Sequence, residues 1–187
     1  MMQNEKKAYT LSILVEDTPG VLSQVARLFS RKGYNIESIC AGPTQTEGVT
    51  RISVVMMGSE SEIRQIATQL SKLLLVISVD VLEGESSIQR ELVLVKVRAE
   101  TRDAREDIIQ ITNVFRANIV DFGTNTLIIA VVGAAEKIKA MLRLLGDYDI
   151  LETVHTGMVA LERGAGTIHD QNKVKDEYNY GKGFSER

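Results

Sequence analysis

The chain has 187 residues, 44% hydrophobic and 25% charged, with one cysteine, two prolines and no tryptophan. That apolar fraction suits a folded chain of one domain or two small ones, and a single cysteine excludes an internal disulfide framework or a cysteine-cluster metal site. The 22 positive and 25 negative side chains are well mixed, for a net charge of −3, which leaves no basic stripe for nucleic acid.

The longest apolar run, Leu127–Val132, has six residues, against roughly 20 for a membrane-spanning helix. Met1–Thr10 is charged and is not followed by the apolar stretch of a signal peptide. The expected compartment is the cytoplasm, or the plastid stroma for an organelle-encoded chain.

In chain order, Tyr9–Val15 alternates Leu11, Ile13 and Val15 with Thr10 and Ser12, the period of a strand. Glu16–Gly20 is a turn leading into a helix, with Thr18 as cap and Pro19 at the first position. The helix runs to about Lys32 and buries Leu22, Val25, Ala26 and Phe29 at i, i+3, i+4, i+7; Gly33 stops it. Tyr34–Ala41 is a second strand, Gly42–Gly48 a loop, and Val49–Met57 a third strand with Ile52, Val54 and Met56 on one face. Gly58 and Ser59 open a second helix with Ile63, Ile66, Ala67 and Leu70 inward, and Leu75–Val81 is a fourth strand.

The order β-α-β-β-α-β then recurs. Glu91–Arg98 is a strand with Val93, Val95 and Val97 on one face. Arg102–Phe115 is a helix with Ala104, Ile108, Ile111 and Phe115 on one side. Ala117–Phe122 and Thr126–Val132 form a hairpin, Ala134–Leu145 a helix with Ile138, Met141, Leu142 and Leu145 inward, and Asp149–Val159 a closing strand. Leu11, Leu14, Asn35 and Ile36 match Leu94, Val97, Asn118 and Ile119 at an offset of 83, and Gly58, Ile63, Leu70 and Val79 match Gly133, Ile138, Leu145 and Val154 at 75. The difference falls at the Gly-Pro loop between second and third strands, where added length is tolerated.

The predicted fold class is α+β: two ferredoxin-like βαββαβ domains in tandem, at 1–84 and 91–164, with a linker at 85–90 and a polar tail at 165–187. The tail is expected to be disordered or loosely attached; Tyr178, Tyr180 and Phe184 give it aromatic groups for docking on a partner. The strands carry apolar residues on both faces, so one apolar sheet face is expected to lack helices. A second copy, in the same chain or a partner, would cover it. Which residues face the helices stays open, because the offset of 83 pairs Ile13 with Lys96.

Catalytic material is sparse. His155 and His169 sit in no metal-ligand motif, and Cys40 ends an apolar strand as a small buried hydrophobe. Phosphate-cradling, dinucleotide and serine-nucleophile motifs are missing. The junction Glu16-Asp17-Thr18-Pro19-Gly20-Val21-Leu22 stands out. A helix N-terminus exposes amide donors and partial positive charge, Gly20 lets a ligand approach the backbone, and Asp17 can receive an ammonium. Val21, Leu22 and Ile36 would give such a site an apolar wall. Amides for a carboxylate beside an acceptor for an amine suit a free amino acid; an ordinary capped turn remains the other reading of these residues. The second copy has Glu100-Thr101-Arg102-Asp103 here, without glycine and with an acid in the first turn, so ligand binding is assigned to the first half and packing or contact to the second.

The stretch from Leu14 to Leu22, followed by Leu28-Phe29-Ser30-Arg31-Lys32-Gly33-Tyr34-Asn35-Ile36-Glu37-Ser38, resembles an ACT domain, and more narrowly the small regulatory subunit of acetolactate synthase. Arg90–Val97 and Phe115–Asp121 resemble that family's second domain. The resemblance covers about residues 9–164 and does not extend to the tail. It implies a subunit without an active site of its own. Such a subunit binds a large catalytic subunit that uses thiamine diphosphate, Mg²⁺ and FAD to make acetolactate from pyruvate. It raises that activity and makes it sensitive to valine, in some members to leucine or isoleucine. It also implies a homodimer with the effector at the seam between two ACT domains: Asp17, Thr18, Pro19, Gly20, Val21 and Leu22 from one chain, Asn35 and Ile36 from its neighbour. Rival expectations are a tandem-ACT sensor regulating another enzyme or transcription, an RNA-binding βαββαβ module and a stand-alone enzyme. The RNA reading is disfavoured by aliphatic central strands, which offer no aromatic stacking platform.

Overall fold

The computed structural model describes residues 6–169; the docking expectation for Tyr178, Tyr180 and Phe184 lies outside the described residues. The chain divides into two compact units. One holds the chain up to Ile88 together with the stretch from Ala160, and the other runs Gln89–Val159.

In the first unit β1 (Lys7–Glu16), α1 (Val21–Lys32), β2 (Ile36–Pro43), β3 (Val49–Gly58), α2 (Glu60–Leu70) and β4 (Val76–Leu82) follow in sequence, with the antiparallel sheet ordered β2-β3-β1-β4. The second unit repeats the frame with β5 (Ser87–Arg98), α3 (Arg102–Val114), β6 (Asn118–Phe122), β7 (Thr126–Gly133), α4 (Ala135–Leu145) and β8 (Ile150–His155), ordered β6-β7-β5-β8. A short β9 (Val159–Glu162) pairs β5. The closing strand expected at Asp149–Val159 is therefore broken after His155. The stretch expected as a linker already contains the start of β5 at Ser87.

Each unit has its own core. Leu11, Ile13 and Val15 of β1 and Ile52, Val54 and Met56 of β3 are fully buried against Val25 and Phe29 of α1 and Ile63, Ile66 and Leu70 of α2. In the second unit Val93, Val95 and Val97 of β5 and Leu127, Ile129 and Val131 of β7 pack on Ile108 of α3 and Ile138, Met141 and Leu145 of α4. These sets settle the register of the repeat. A pairing irregularity precedes Val15 and likewise Val97. Glu16 N–H donates to Leu75 O, and Arg98 N–H to Asp149 O, both at 2.9 Å. Val15 therefore corresponds to Val97, an offset of 82, while Val25 and Ile108 keep the offset of 83. The second copy has one residue more between strand and helix, which resolves the clash of Ile13 with Lys96.

The helix-free faces differ. In the first unit Ser12 pairs with Ser53 and with Asp80, and Leu14 with Arg51 and Ser78. Directly paired residues share a face, so this face is polar around Ser12, Arg51 and Asp80 and apolar only at Leu14 and at Val55 and Leu82, which pair with Thr10, rather than apolar throughout as expected. Thr10, Ser12, Leu14 and Ser53 on it are nonetheless buried. Residues Leu161–His169 lie over it with Ile168 buried, so the beginning of the expected loose tail is packed. In the second unit Leu94 pairs with Ala130 and Val154, and Leu92 with Val132. Leu92, Leu94, Val132 and Val154 are exposed, giving the apolar, helix-free face that the sequence led us to expect.

Candidate functional site

The β1–α1 junction is built by a turn that the capped-helix reading did not foresee. Thr18-Pro19-Gly20-Val21 closes with Val21 N–H donating to Thr18 O at 3.3 Å, and Gly20 has φ 88° and ψ −6°. Proline at i+1 with left-handed glycine at i+2 is the signature of a type II turn. The turn delays the helix. Gly20, not Thr18, is the N-cap, its carbonyl accepting the Gln24 N–H at 3.0 Å, and Pro19 lies outside the helix. The buried face shifts accordingly to Val21, Val25, Leu28 and Phe29, while Leu22 is exposed and Ala26 half-buried.

The result is a bare helix end. No side chain caps α1 and its first turn holds no acid. By contrast α2 has a reciprocal capping box between Ser59 and Glu62, and α3 has Thr101 accepting the Ala104 N–H. Space around Gly20 is open, with nothing within 4 Å of where a Cβ would stand. Thr18 Oγ1 is shielded and has no hydrogen-bond partner. Asp17 is exposed and its N–H is tied to Gly48 O at 2.8 Å, fixing the loop to the β2–β3 hairpin. Of the expected apolar wall, Val21 is committed to the core, Ile36 is half-buried beside it, and Leu22 is free to face a ligand.

One chain does not bring all of these residues together. Asp17–Leu22 gather at the end of β1, where Glu16 pairs with Val49. Asn35 and Ile36 lie at the other end of the sheet, on the row where Ile36 pairs with Met56 and Met56 with Tyr9. Seven strand positions separate the rows, roughly 23 Å at about 3.3 Å each. Asn35 is exposed and donates to Glu37 Oε1 at 3.1 Å. Beside it, β2 is an edge strand of alternating half-buried and exposed residues.

Sequence reasoning missed Arg51, Ser53, Ser78 and Asp80, which give the first sheet its polar face. Their signal was present as period-two polar residues between Ile52, Val54, Val79 and Val81. The Arg51 guanidinium is pushed below its ordinary value by burial, and the Asp80 carboxylate opposes that shift.

No helix among the described residues is long and apolar enough to cross a membrane. Residues 11–78 match the family model described as an AHAS small subunit-like ACT domain, and residues 90–164 that of the small subunit of acetolactate synthase. A probable acetolactate synthase small subunit from Methanothermobacter thermautotrophicus is 43% identical over 168 residues, covering 90% of this chain and all of the relative. The acetolactate synthase small subunit of Mycolicibacterium smegmatis is 44% identical, covering 87% of this chain and 95% of its own length. The crystal structure of the small subunit from Thermotoga maritima superposes with a TM-score of 0.79 at 34% identity, covering 86% of this chain and 99% of that one. With both halves matched in order and the relatives covered almost end to end, this chain belongs to the acetolactate synthase small-subunit family.

Proposed function

We propose that the chain is the feedback-sensing regulatory subunit of an acetolactate synthase. It activates a large catalytic subunit and makes it sensitive to valine, or to leucine or isoleucine, bound where two N-terminal units meet. The observation that carries the reading is the bare N-terminus of α1 at Gly20: amide donors, partial positive charge and open backbone are aimed where a carboxylate can settle. Asp17 stands ready for the ammonium, Leu22 for the side chain, and the orphaned Thr18 hydroxyl gains a partner when the site fills.

A homodimer supplies the remainder. Two β2 edges joined antiparallel about a two-fold axis place the start of one strand beside the end of the other. Asn35 and Ile36 of a neighbouring copy then approach the end of the sheet that holds Gly20. A site shared across a seam has different affinity in different dimer arrangements, which is what linkage requires of an effector. Valine would stabilise an arrangement whose contacts favour the less active enzyme. In this reading the chain has no active site, and thiamine diphosphate, Mg²⁺ and FAD belong to the catalytic partner. The second unit, whose helix α3 is capped by its own Thr101, serves in packing or contact.

The experiment is calorimetric titration of the protein with valine, leucine and isoleucine, followed by acetolactate synthase assay with and without the large subunit. Binding of a branched-chain amino acid together with activation is the expected result. Activation without any amino-acid binding would remove the sensing role, and binding without activation would favour a sensor for another enzyme.

A further inference from the structure

The polar face of the N-terminal sheet has a use that the dimer seam leaves unassigned. Residues Leu161–His169 pass over it and enclose, with the strands, a crevice of about 280 Å³, near the lower end of the range for small-molecule sites. It is formed within one compact unit, so it needs no second copy.

Its walls carry three kinds of chemistry. Ser12 lines the crevice and is 1% exposed, yet its buried hydroxyl has no hydrogen-bond partner. A buried hydroxyl left unpaired in a polar cavity calls for an occupant that bonds to it. Arg51 brings a guanidinium whose planar fork matches a carboxylate. Asp80, itself 7% exposed, brings a carboxylate, and Glu162 brings another from the covering segment. Leu82 and Ile168 supply an apolar wall, with Gln45 and His169 at the polar rim. A cation and a hydroxyl, a pair of anions and an apolar surface are together complementary to a small zwitterion with a hydrocarbon side chain.

We propose that this crevice binds one free apolar α-amino acid per chain, at a second site separate from the seam at Gly20. The ligand carboxylate sits on Arg51 and the Ser12 hydroxyl, its ammonium faces Asp80 and Glu162, and its side chain lies against Leu82 and Ile168. Occupancy ties Leu161–His169 to the sheet.

The test is calorimetric titration of the full-length protein and its Gly20→Asp and Arg51→Met variants with L-valine and L-leucine. The expected result is that Gly20→Asp retains one bound amino acid per chain, and that adding Arg51→Met weakens this remaining binding at least tenfold. Loss of all binding in Gly20→Asp overturns this inference and leaves the seam standing. Binding indifferent to Gly20→Asp but lost in Arg51→Met supports the inference and overturns the seam. No binding to the wild type overturns both. Should Arg51→Met fail to fold by circular dichroism, Gln45→Trp narrows the same mouth from an exposed position; unchanged affinity there, in the Gly20→Asp background, overturns the inference.

Discussion

Thr18 and Thr101 stand 83 residues apart at the same point of the two βαββαβ frames, and only Thr101 caps a helix. Its hydroxyl accepts the Ala104 N–H at 3.2 Å, whereas Thr18 Oγ1 is shielded without a partner. Pro19 and Gly20 cause the difference. Their type II turn starts α1 at Val21, while α3 starts at Arg102 beside its threonine. The same frame thus gives a self-satisfied helix end in one half and an open one in the other.

Substitution at Gly20 separates backbone strain from ligand chemistry. With nothing near its missing Cβ, Gly20→Ala meets no clash, only the left-handed φ of 88°, which costs a side chain roughly 1–2 kcal/mol. Urea denaturation should show a loss of that order, with valine sensitivity weakened only modestly. Gly20→Asp carries the same strain and places a carboxylate where the ligand's would sit. Valine inhibition should disappear while activation of the large subunit is largely kept. Activation falling in step with valine sensitivity would show that the two functions share one structure.

The separation of Gly20 from Asn35 along the sheet makes a mixing experiment decisive. Gly20→Asp and Asn35→Ala homodimers should each be insensitive to valine. In a dimer carrying one of each, one seam site collects both substitutions and the other collects neither. Random reassortment makes about half of the dimers mixed, so about a quarter of the wild-type seam sites should return. Calorimetric stoichiometry of the remixed protein, with Arg51→Met in both parents to silence the crevice, reads this directly. No recovery would place Asn35 and the Gly20 loop in the same chain's site, and an Asn35→Ala homodimer that keeps its valine sensitivity would place Asn35 outside it.

The fold was legible where one period dominated. Val93, Val95 and Val97, or Ile63, Ile66 and Leu70, announce their element and its buried side because each has one apolar face, and they are buried as expected. It was less legible where two signals coincide. Pro19-Gly20 suits a helix start and a type II turn equally in sequence, and only the φ of Gly20 chooses. On β1, Leu14 follows Ile13, so apolarity alone did not say which faces the helices; the cross-strand partners Arg51 and Ser78 mark Leu14's face as the polar one. That Ile168 would return to that face was not readable, because a single isoleucine in a polar stretch carries no period. Of the site, the loop was visible as chemistry. The distance from Asn35 to Gly20 required the register of β1, β2 and β3.

The capping box of α2 gives stability a pH signature. Ser59 N–H donates to Glu62 Oε2 at 2.7 Å, and the hydrogen bonds from Ser59, its backbone first, hold the Glu62 carboxyl below its ordinary value of 4.5. A depressed folded value contributes stability above the unfolded one, and the contribution is lost as pH falls through the folded value. Denaturation between pH 6 and pH 3 (about the range of carboxylate titration) should therefore show wild type losing stability more steeply below 4.5 than Glu62→Gln. Ser59→Ala should cost about 1 kcal/mol at neutral pH through the lost cap. Equal slopes in wild type and Glu62→Gln would mean that the box does not persist in solution.

Neighbours on β5 test which face of the second sheet is core. Val95 is fully buried between Ile129 and Thr153, while Leu94, one residue back, is 38% exposed on the helix-free side. Removing two methyl groups at Val95 leaves a cavity among Ile108, Ile138 and Met141, and Val95→Ala should lower the unfolding free energy by roughly 1–3 kcal/mol. Leu94→Ala removes more carbon but leaves no enclosed void, and should cost under about 1 kcal/mol. The contact role proposed for this unit adds a functional readout. Leu94→Asp should fold and bind valine as before, since the residues proposed to hold valine lie in the other unit, yet activate the large subunit less well. A Leu94→Asp protein that activates fully would show that contact with the catalytic subunit does not use this face.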